Sequence, residues 1–416
     1  MVREREKTTS TTAVTYGAAN EDAEFHPTSS ASHREFMPAI GLKEYWYPAI
    51  EARKVRGKPV GLKICGDQVV FFKGKEKGEV SALANVCPHR GGSLMHGDCH
   101  YPGTVSCPYH GWTFNGAGDV LAVLPEGPDS QVPGKIIHRS YPTQNLRGMI
   151  WIWMGEGEPA PIEEDVPPEF FWDEGVLLFG TEVWPSNWRV AIENVSDAHV
   201  PYVHRDATFT LLVPMPLTGP EGARTIFVND RYLGQPSMVE AAQPKDGAPQ
   251  RIGARVRGKL QYFFPAVGGT WPLHQRRNLW TWATKWIQKR RFARPAMEPN
   301  PEWAGIGRHL PAIVHIDYRT HIFNRINIPI DENNTRQMYT HATRANGLLA
   351  RLYERVVFHT FHRWAHFSDF SVQDFKVLNP QRYDAPEYLS LTDMPNVNWR
   401  RLVALHARDL NPAGSK

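Results

Sequence analysis

Two short segments constrain this chain more than any other feature: Cys87-Pro-His89 and, after seventeen intervening residues, Cys107-Pro-Tyr-His110-Gly-Trp112. Each offers one thiolate and one imidazole on a loop flanked by strand-like sequence. Two sulfurs and two nitrogens suit either tetrahedral zinc or a [2Fe–2S] cluster whose irons differ, one held by Cys and the other by His. Zinc sites tend to pair like residues within a loop, Cys with Cys and His with His. A cluster with two chemically distinct irons needs each loop to reach both, which one Cys and one His per loop achieve. Around them, from about residue 44 to 154, the chain reads as short strands between Gly-rich turns, the pattern of a small β domain.

That domain accounts for only part of the chain. At 416 residues and 47.3 kDa the polypeptide exceeds one ordinary core, so two domains are expected. The balance of 47 Lys+Arg against 43 Asp+Glu leaves +4, too small an excess for an electrostatic nucleic-acid binder. Four cysteines cannot form a disulfide scaffold; Cys65 and Cys99 read as plain buried or surface thiols. The longest apolar run, 149–154, is far too short to span a bilayer, and residues 1–36 carry no secretory signal. A cytoplasmic protein with no membrane association is the expectation.

Along the chain, 1–44 is expected to form an N-terminal arm, partly disordered and packing on the second domain. Residues 45–160 should be the β domain and 161–416 a larger domain of mixed type. Hairpins are expected around 73–79 and at Asn115-Gly116, and 149–154 should be a strand buried on both faces. Residues 188–199 and 346–374 read as helical, 262–286 and 313–329 as strands, and Pro329-Ile330-Asp331-Glu332-Asn333 as a turn between strands. The 214–250 stretch reads as irregular. The run Lys289-Arg290-Arg291 suits a solvated loop or a docking spot for an acidic partner rather than nucleic acid.

The motifs CPHRGG (87–92) and CPYHGW (107–112) resemble those of the Rieske iron–sulfur family. By that resemblance Cys87, His89, Cys107 and His110 hold a [2Fe–2S] cluster. Gly92 and Tyr109 stand where respiratory members place extra cysteines, and Trp112 where they place a serine. This implies the low-potential oxygenase and ferredoxin branch. A second constellation follows: Asn187-Trp188-Arg189, then Glu193-Asn194, Asp197, His199, Pro201 and His204. Two imidazoles and one carboxylate on one face of Fe(II), with other positions open, suit dioxygen chemistry. An unbroken α-helix would turn side chains five residues apart by about 140°, and Pro201 disfavours such a helix, letting His204 swing back toward His199.

Together the two constellations resemble the Rieske non-heme iron oxygenases, from about residue 44 to 374. The resemblance implies an α+β fold: an all-β Rieske domain plus a helix-grip catalytic domain, an antiparallel sheet wrapped by helices. It implies His199, His204 and Asp369 as ligands of one Fe(II), with Asp374 in reserve, since Asp369-Phe-Ser-Val372-Gln-Asp374 fits the family pattern. It gives catalytic roles to Asp197, bridging the two centres, and to Asn194, near the iron but not a strong ligand. Only Ala198 separates Asp197 from His199, where the family has two residues. His362, His366 and Asp369 also fall at i, i+4 and i+7 and could bind a metal by themselves, although packing against Trp364 and Phe367 is the plainer reading.

The implied function is a terminal oxygenase α subunit of the α-only, carbazole-dioxygenase-like branch, suggested by Tyr45-Trp46-Tyr47-Pro48 and the 329–333 turn. Such a homotrimer would use O2 to hydroxylate an aromatic or other apolar small molecule. No Gly-x-Gly-x-x-Gly fingerprint occurs, so NAD(P)H would serve only indirectly, through a ferredoxin or flavin reductase as electron donor. Three alternatives stay open: a Rieske electron-transfer protein with a non-catalytic second domain, an O- or N-demethylating monooxygenase, and a zinc-binding protein.

Overall fold

A computed structural model describes residues 33–195, 199, 203–204, 207, 225–235, 263–264, 269–270, 286, 297, 300–303, 305–318 and 320–411. Asp197, the Lys289-Arg290-Arg291 run, residues 1–32 of the arm and most of 214–250 lie outside the described residues.

The first part is antiparallel β throughout. Val60–Ile64, Asp67–Lys73, Val80–Ala84 and Ser140–Tyr141 form a four-stranded sheet. Thr104–Ser106, Trp112–Asn115 and Val120–Val123 form a three-stranded one that carries the second Cys/His loop. Asn115 builds its turn by accepting the amides of Ala117 and Asp119 on Oδ1 at 3.0 and 2.9 Å. The residue that takes the left-handed conformation there is Gly118 (φ +93°), where a Cβ would strike the His138 carbonyl. Met149–Trp153 lies between Trp46–Glu51 and Thr143–Leu146, and all five of its residues are buried, as its unbroken apolar sequence requires.

The second part is built on a seven-stranded antiparallel sheet. In spatial order its strands are Val176–Trp184, Thr335–Thr343, Ile322–Pro329, Ile313–Asp317, Ile306–His309, Tyr232–Gln235 and Ile226–Phe227. The 329–333 turn joins two of them. Of the 262–286 strand expectation, the described residues show one short pair, Phe263–Phe264 with Gly269–Thr270. The helix expected over 188–199 is shorter: Trp188–Glu193, capped by Asn187, whose side chain accepts the Arg189 amide. A long helical stretch follows the sheet. It is α over Leu348–Val357, π-helical over Phe358–His362 and Trp364–Ser371, and α again over Val372–Leu378.

One apolar core joins the two parts, running from Trp46 and Trp151 through Trp184 and Trp188 to Trp399. Polar clasps reinforce the join. Fully buried Asp165 accepts the Trp46 amide at 3.0 Å and two bonds from Arg408 at 2.9 Å each. The turn after Ile64 donates from Cys65 and Gly66 to the carbonyls of Pro329 and Ile330. Residues 37–39 dock on the short helix through their carbonyls, which accept from Arg189, Trp188 and Asn187.

Behind the large sheet, Glu169 is fully buried and accepts from Asn324. Burial pushes its carboxyl up to about 7, against the opposing effect of that hydrogen bond. A raised carboxyl pKa contributes stability that is complete below the unfolded value of 4.5 and is lost as pH rises to about 7. Glu169→Gln removes that loss. The melting temperatures of the two proteins should lie close at pH 5 and diverge at pH 8, the variant gaining about 2–3 kcal/mol. A gap that does not change with pH would contradict this.

Candidate metal centres and active site

The two Cys/His loops are built alike. The amides of Cys87 and Cys107 donate to the carbonyls of Gly92 and Trp112, both at 2.8 Å. The amides of Gly91 and Gly111 donate back to the carbonyls of Cys87 and Cys107 at 2.9 and 3.0 Å. Gly91 and Gly111 close the loops at φ +74° and +65°. Cys87 and Cys107 are buried in the smaller core, against residues such as Val70 and Leu94. Gly92 keeps the gap beside them open, because a Cβ there would sit 3.0 Å from the Cys107 sulfur. The imidazoles face outward: His89 is exposed, His110 half-buried, and their rings lie 4.6 Å apart. Trp112 stacks on His89 at 4.9 Å and Tyr109 packs on His110 at 3.8 Å.

Burial, reinforced by neighbouring Cys107, pushes the Cys87 thiol up to about 11 in spite of the backbone bond from His89. A buried thiol of this kind becomes a thiolate only against strong positive charge, which coordinated iron would supply. The donor set therefore fits the cluster, with sulfurs inside and imidazoles at the surface.

The second centre gathers His199, His204 and Asp374. The two Nε2 atoms are 3.2 Å apart, and Asp374 Oδ1 lies 2.9 Å from His204 and 3.4 Å from His199. Each residue thus offers one donor atom to a common point. The amide of Val203 donates to the His199 carbonyl at 2.8 Å, and the rings of His199 and His204 converge. Phe370 stacks on His204 at 3.7 Å, nearly parallel.

Asp374, not Asp369, is the carboxylate that meets the histidines. The two are five residues apart on one helical stretch, so they cannot share a face of an α-helix. The π-helical widening over Trp364–Ser371 sets which one turns inward, and the ligand expectation for Asp369 is corrected accordingly. Likewise His362, His366 and Asp369 do not gather into one group; His366 instead joins His321 and His341 from the sheet.

Asp374 is held from behind. Asn194 Nδ2 donates to its Oδ1 at 3.3 Å, and Asn194 Oδ1 in turn accepts both terminal nitrogens of Arg325 at 3.3 Å. Arg325 Nη1 is 3.8 Å from Asp374 Oδ2, and its Nη2 donates to the Ala191 carbonyl at 2.6 Å. Burial pushes the Asp374 carboxyl up, but hydrogen bonds from His199 and His204 and the charges of His204 and Arg325 together hold it well below the usual range. It is an anion at any working pH, as a metal ligand must be.

Sequence reasoning missed Arg325. Its signal was a lone cation inside the apolar strand Ile322–Pro329, where a charge must have a buried partner. The bond it donates to Asp374 places Asn194 where it can orient that carboxylate rather than ligate a metal itself. Asn194→Ala should weaken Fe(II) binding roughly 10–100-fold, the usual cost of removing an outer partner of a ligand. Titration against a chelator would measure it, and unchanged affinity would remove Asn194 from this role.

Residues 45–136 match the family model described as Rieske [2Fe-2S] domain, and residues 153–228 the one described as homotrimeric ring hydroxylase. The terminal oxygenase component CarAa of carbazole 1,9a-dioxygenase from Metapseudomonas resinovorans is 29% identical over 48% of this chain and 54% of its own length. The vanillate O-demethylase oxygenase subunit of Pseudomonas sp. (strain HR199 / DSM 7063) is 32% identical over 39% of this chain and 45% of its own. The chain thus spans about half the length of the curated relatives it matches. In fold, it superposes on the carbazole 1,9a-dioxygenase terminal oxygenase of Nocardioides aromaticivorans IC177 with a TM-score of 0.71 at 24% identity, covering 91% of this chain and 98% of that one. It also superposes on the reduced oxygenase–ferredoxin complex of carbazole 1,9a-dioxygenase (TM-score 0.65, 19% identity, 92% and 95% covered). The fold, the paired Cys/His loops and both family matches agree: residues 45–136 are similar to Rieske [2Fe-2S] domains, and residues 153–228 are similar to homotrimeric ring hydroxylases.

Proposed function

We propose that the chain is the terminal oxygenase of a multi-protein system, hydroxylating an aromatic or other apolar small molecule with O2 and electrons from a separate ferredoxin or flavin reductase. The observation that carries this is that one chain holds both donor sets, the Cys/His loops and the His199–His204–Asp374 group. When bound there, the cluster supplies single electrons and a mononuclear ferrous ion supplies dioxygen activation. The chain's own residues do the rest. Arg325 and Asn194 fix the Asp374 carboxylate as an anion facing the histidines, and the Phe370 ring shields His204 from water. Exposed His89 and half-buried His110 give electrons a short way in and out of the cluster.

In a head-to-tail homotrimer, Asp197 would link the partner subunit's His110 to His199 or His204 and so gate transfer. Asp197→Asn should keep both metals yet slow single-turnover electron transfer severely; an unchanged rate would remove Asp197 from this role. We place the system in the cytoplasm; among the described residues no helix is long and apolar enough to cross a membrane.

The test is turnover with a matched reductase and isotopically labelled O2 over a panel of aromatic and methoxylated substrates. Label in the product supports the reading, with two atoms marking a dioxygenase and one a hydroxylase; a demethylase releases its oxygen atom in formaldehyde, which is assayed directly. Reduction of the cluster with neither label nor formaldehyde would favour a pure electron-transfer role.

A further inference from the structure

The group formed by His321, His341 and His366 lies outside the centres described above. Their ring nitrogens all lie within 4.8 Å of one another, and the residues come from three separate segments. His321 immediately precedes the strand Ile322–Pro329, His341 sits on Thr335–Thr343, and His366 lies in the π-helical turns of Trp364–Ser371. The register pairs Phe323 with His341 and Arg325 with Tyr339. Side chains alternate along a strand, so His321, Phe323, Arg325 and His341 share the sheet face that looks toward the helical stretch. That is also the face from which Arg325 reaches Asp374. Four residues of strand separate His321 from Arg325, roughly 13 Å between their Cα atoms.

Its members are packed as imidazoles against imidazoles. His321 and His341 are 4.9 Å apart between ring centres, and His362 stacks on His341 at 4.7 Å and lies 5.8 Å from His366. His321 and His362 are fully buried, and His341 and His366 nearly so. The Nδ1 of His321 is engaged by the Thr320 hydroxyl at 3.1 Å. This leaves Nε2 as its donor atom and supplies the outer hydrogen bond that orients a ligating imidazole. Phe323 stacks on His366 at 4.7 Å and fixes that ring as well.

We propose that His321, His341 and His366 form a second, separate site for a borderline divalent cation of the Zn2+ type, with His362 beside it as a possible fourth imidazole. Three neutral nitrogens select Zn2+, Co2+ or Cu2+ over Mg2+ or Ca2+, which take oxygen ligands. At a metal–nitrogen distance of about 2.0–2.1 Å, tetrahedral ligand atoms stand roughly 3.4 Å apart, so a small inward rotation of the three rings suffices. An ion there would pin two strands of the sheet to the helical stretch that carries Asp374.

The test is anaerobic titration of the full-length holoprotein, its cluster and mononuclear iron in place, with Co2+. Uptake of one further equivalent with the ligand-field absorption of a nitrogen-ligated ion is expected. Affinity should fall at least tenfold in the His341→Gln/His366→Gln protein while the cluster spectrum persists. Asp374→Ala protein should retain this uptake, which separates the site from the mononuclear centre. No uptake by the wild-type holoprotein, or equal uptake by the double variant, would overturn the proposal; the wild-type titration decides alone if the variant does not fold.

Discussion

Asp374→Ala is expected to strip the mononuclear iron and abolish oxygenation while leaving the [2Fe–2S] spectrum intact, whereas Asp369→Ala should do neither. Among the described residues, Asp374 alone supplies a carboxylate oxygen within 3.4 Å of both histidine nitrogens. Its loss removes the one negative charge among the three donors, and it leaves Arg325 buried without its counter-charge. Removing an outer partner of a ligand already costs roughly 10–100-fold in metal affinity, so deleting the ligand itself should cost more. Fe(II) stoichiometry of the two variants, read beside the cluster absorption, checks this directly. Iron retained by Asp374→Ala but lost from Asp369→Ala would reverse the assignment.

The second large effect lies away from either metal. Arg400 is buried and forks onto Glu193 through Nε and Nη2 at 2.7 and 2.8 Å, and onto Glu387 at 2.5 and 3.0 Å. Burial works against its charge, but the hydrogen bonds it donates to the two carboxylates outweigh that and raise its pKa. Glu193 also accepts the Tyr383 hydroxyl at 3.2 Å and is the residue just before Asn194. Arg400→Ala leaves the Glu193 carboxylate buried with most of its compensation gone, which costs about 3–5 kcal/mol. Because Glu193 ends the helix that presents Asn194, iron binding at Asp374 should weaken too, with the cluster unaffected. Pairing Arg400→Met with Glu193→Gln should recover much of the stability, since the buried Glu193 charge goes with its partner while the partly exposed Glu387 keeps Arg34 at 3.9 Å. Denaturant unfolding showing a loss below about 1 kcal/mol for Arg400→Ala would contradict the account.

What could be read from the sequence was local. The cluster loops each lie within six residues, so Cys87, His89, Cys107 and His110 announce themselves by spacing alone. The doubly buried strand Met149–Trp153 and the turn at Asn115 were legible for the same reason: run length and turn chemistry act over a few residues. His199 and His204 are also near neighbours. Asp374 was harder, because choosing it over Asp369 depends on π-helical turns that no local pattern dictates. Arg325 and the His321–His341–His366 group depend on strand register and on contacts between segments far apart in the chain. The helical spacing of His362, His366 and Asp369 named one member of that group, His366, since its partners His321 and His341 came from the sheet.

The central claim is that one polypeptide carries a sulfide-bridged iron pair and, beyond it, a lone ferrous ion. Quantifying metals and acid-labile sulfide in anaerobically purified protein tests it most directly. The account predicts two irons and two sulfides for the cluster plus one further iron per chain, with reduction giving a Rieske-type EPR signal. Zinc at the Cys/His loops, or protein without labile sulfide, would contradict it.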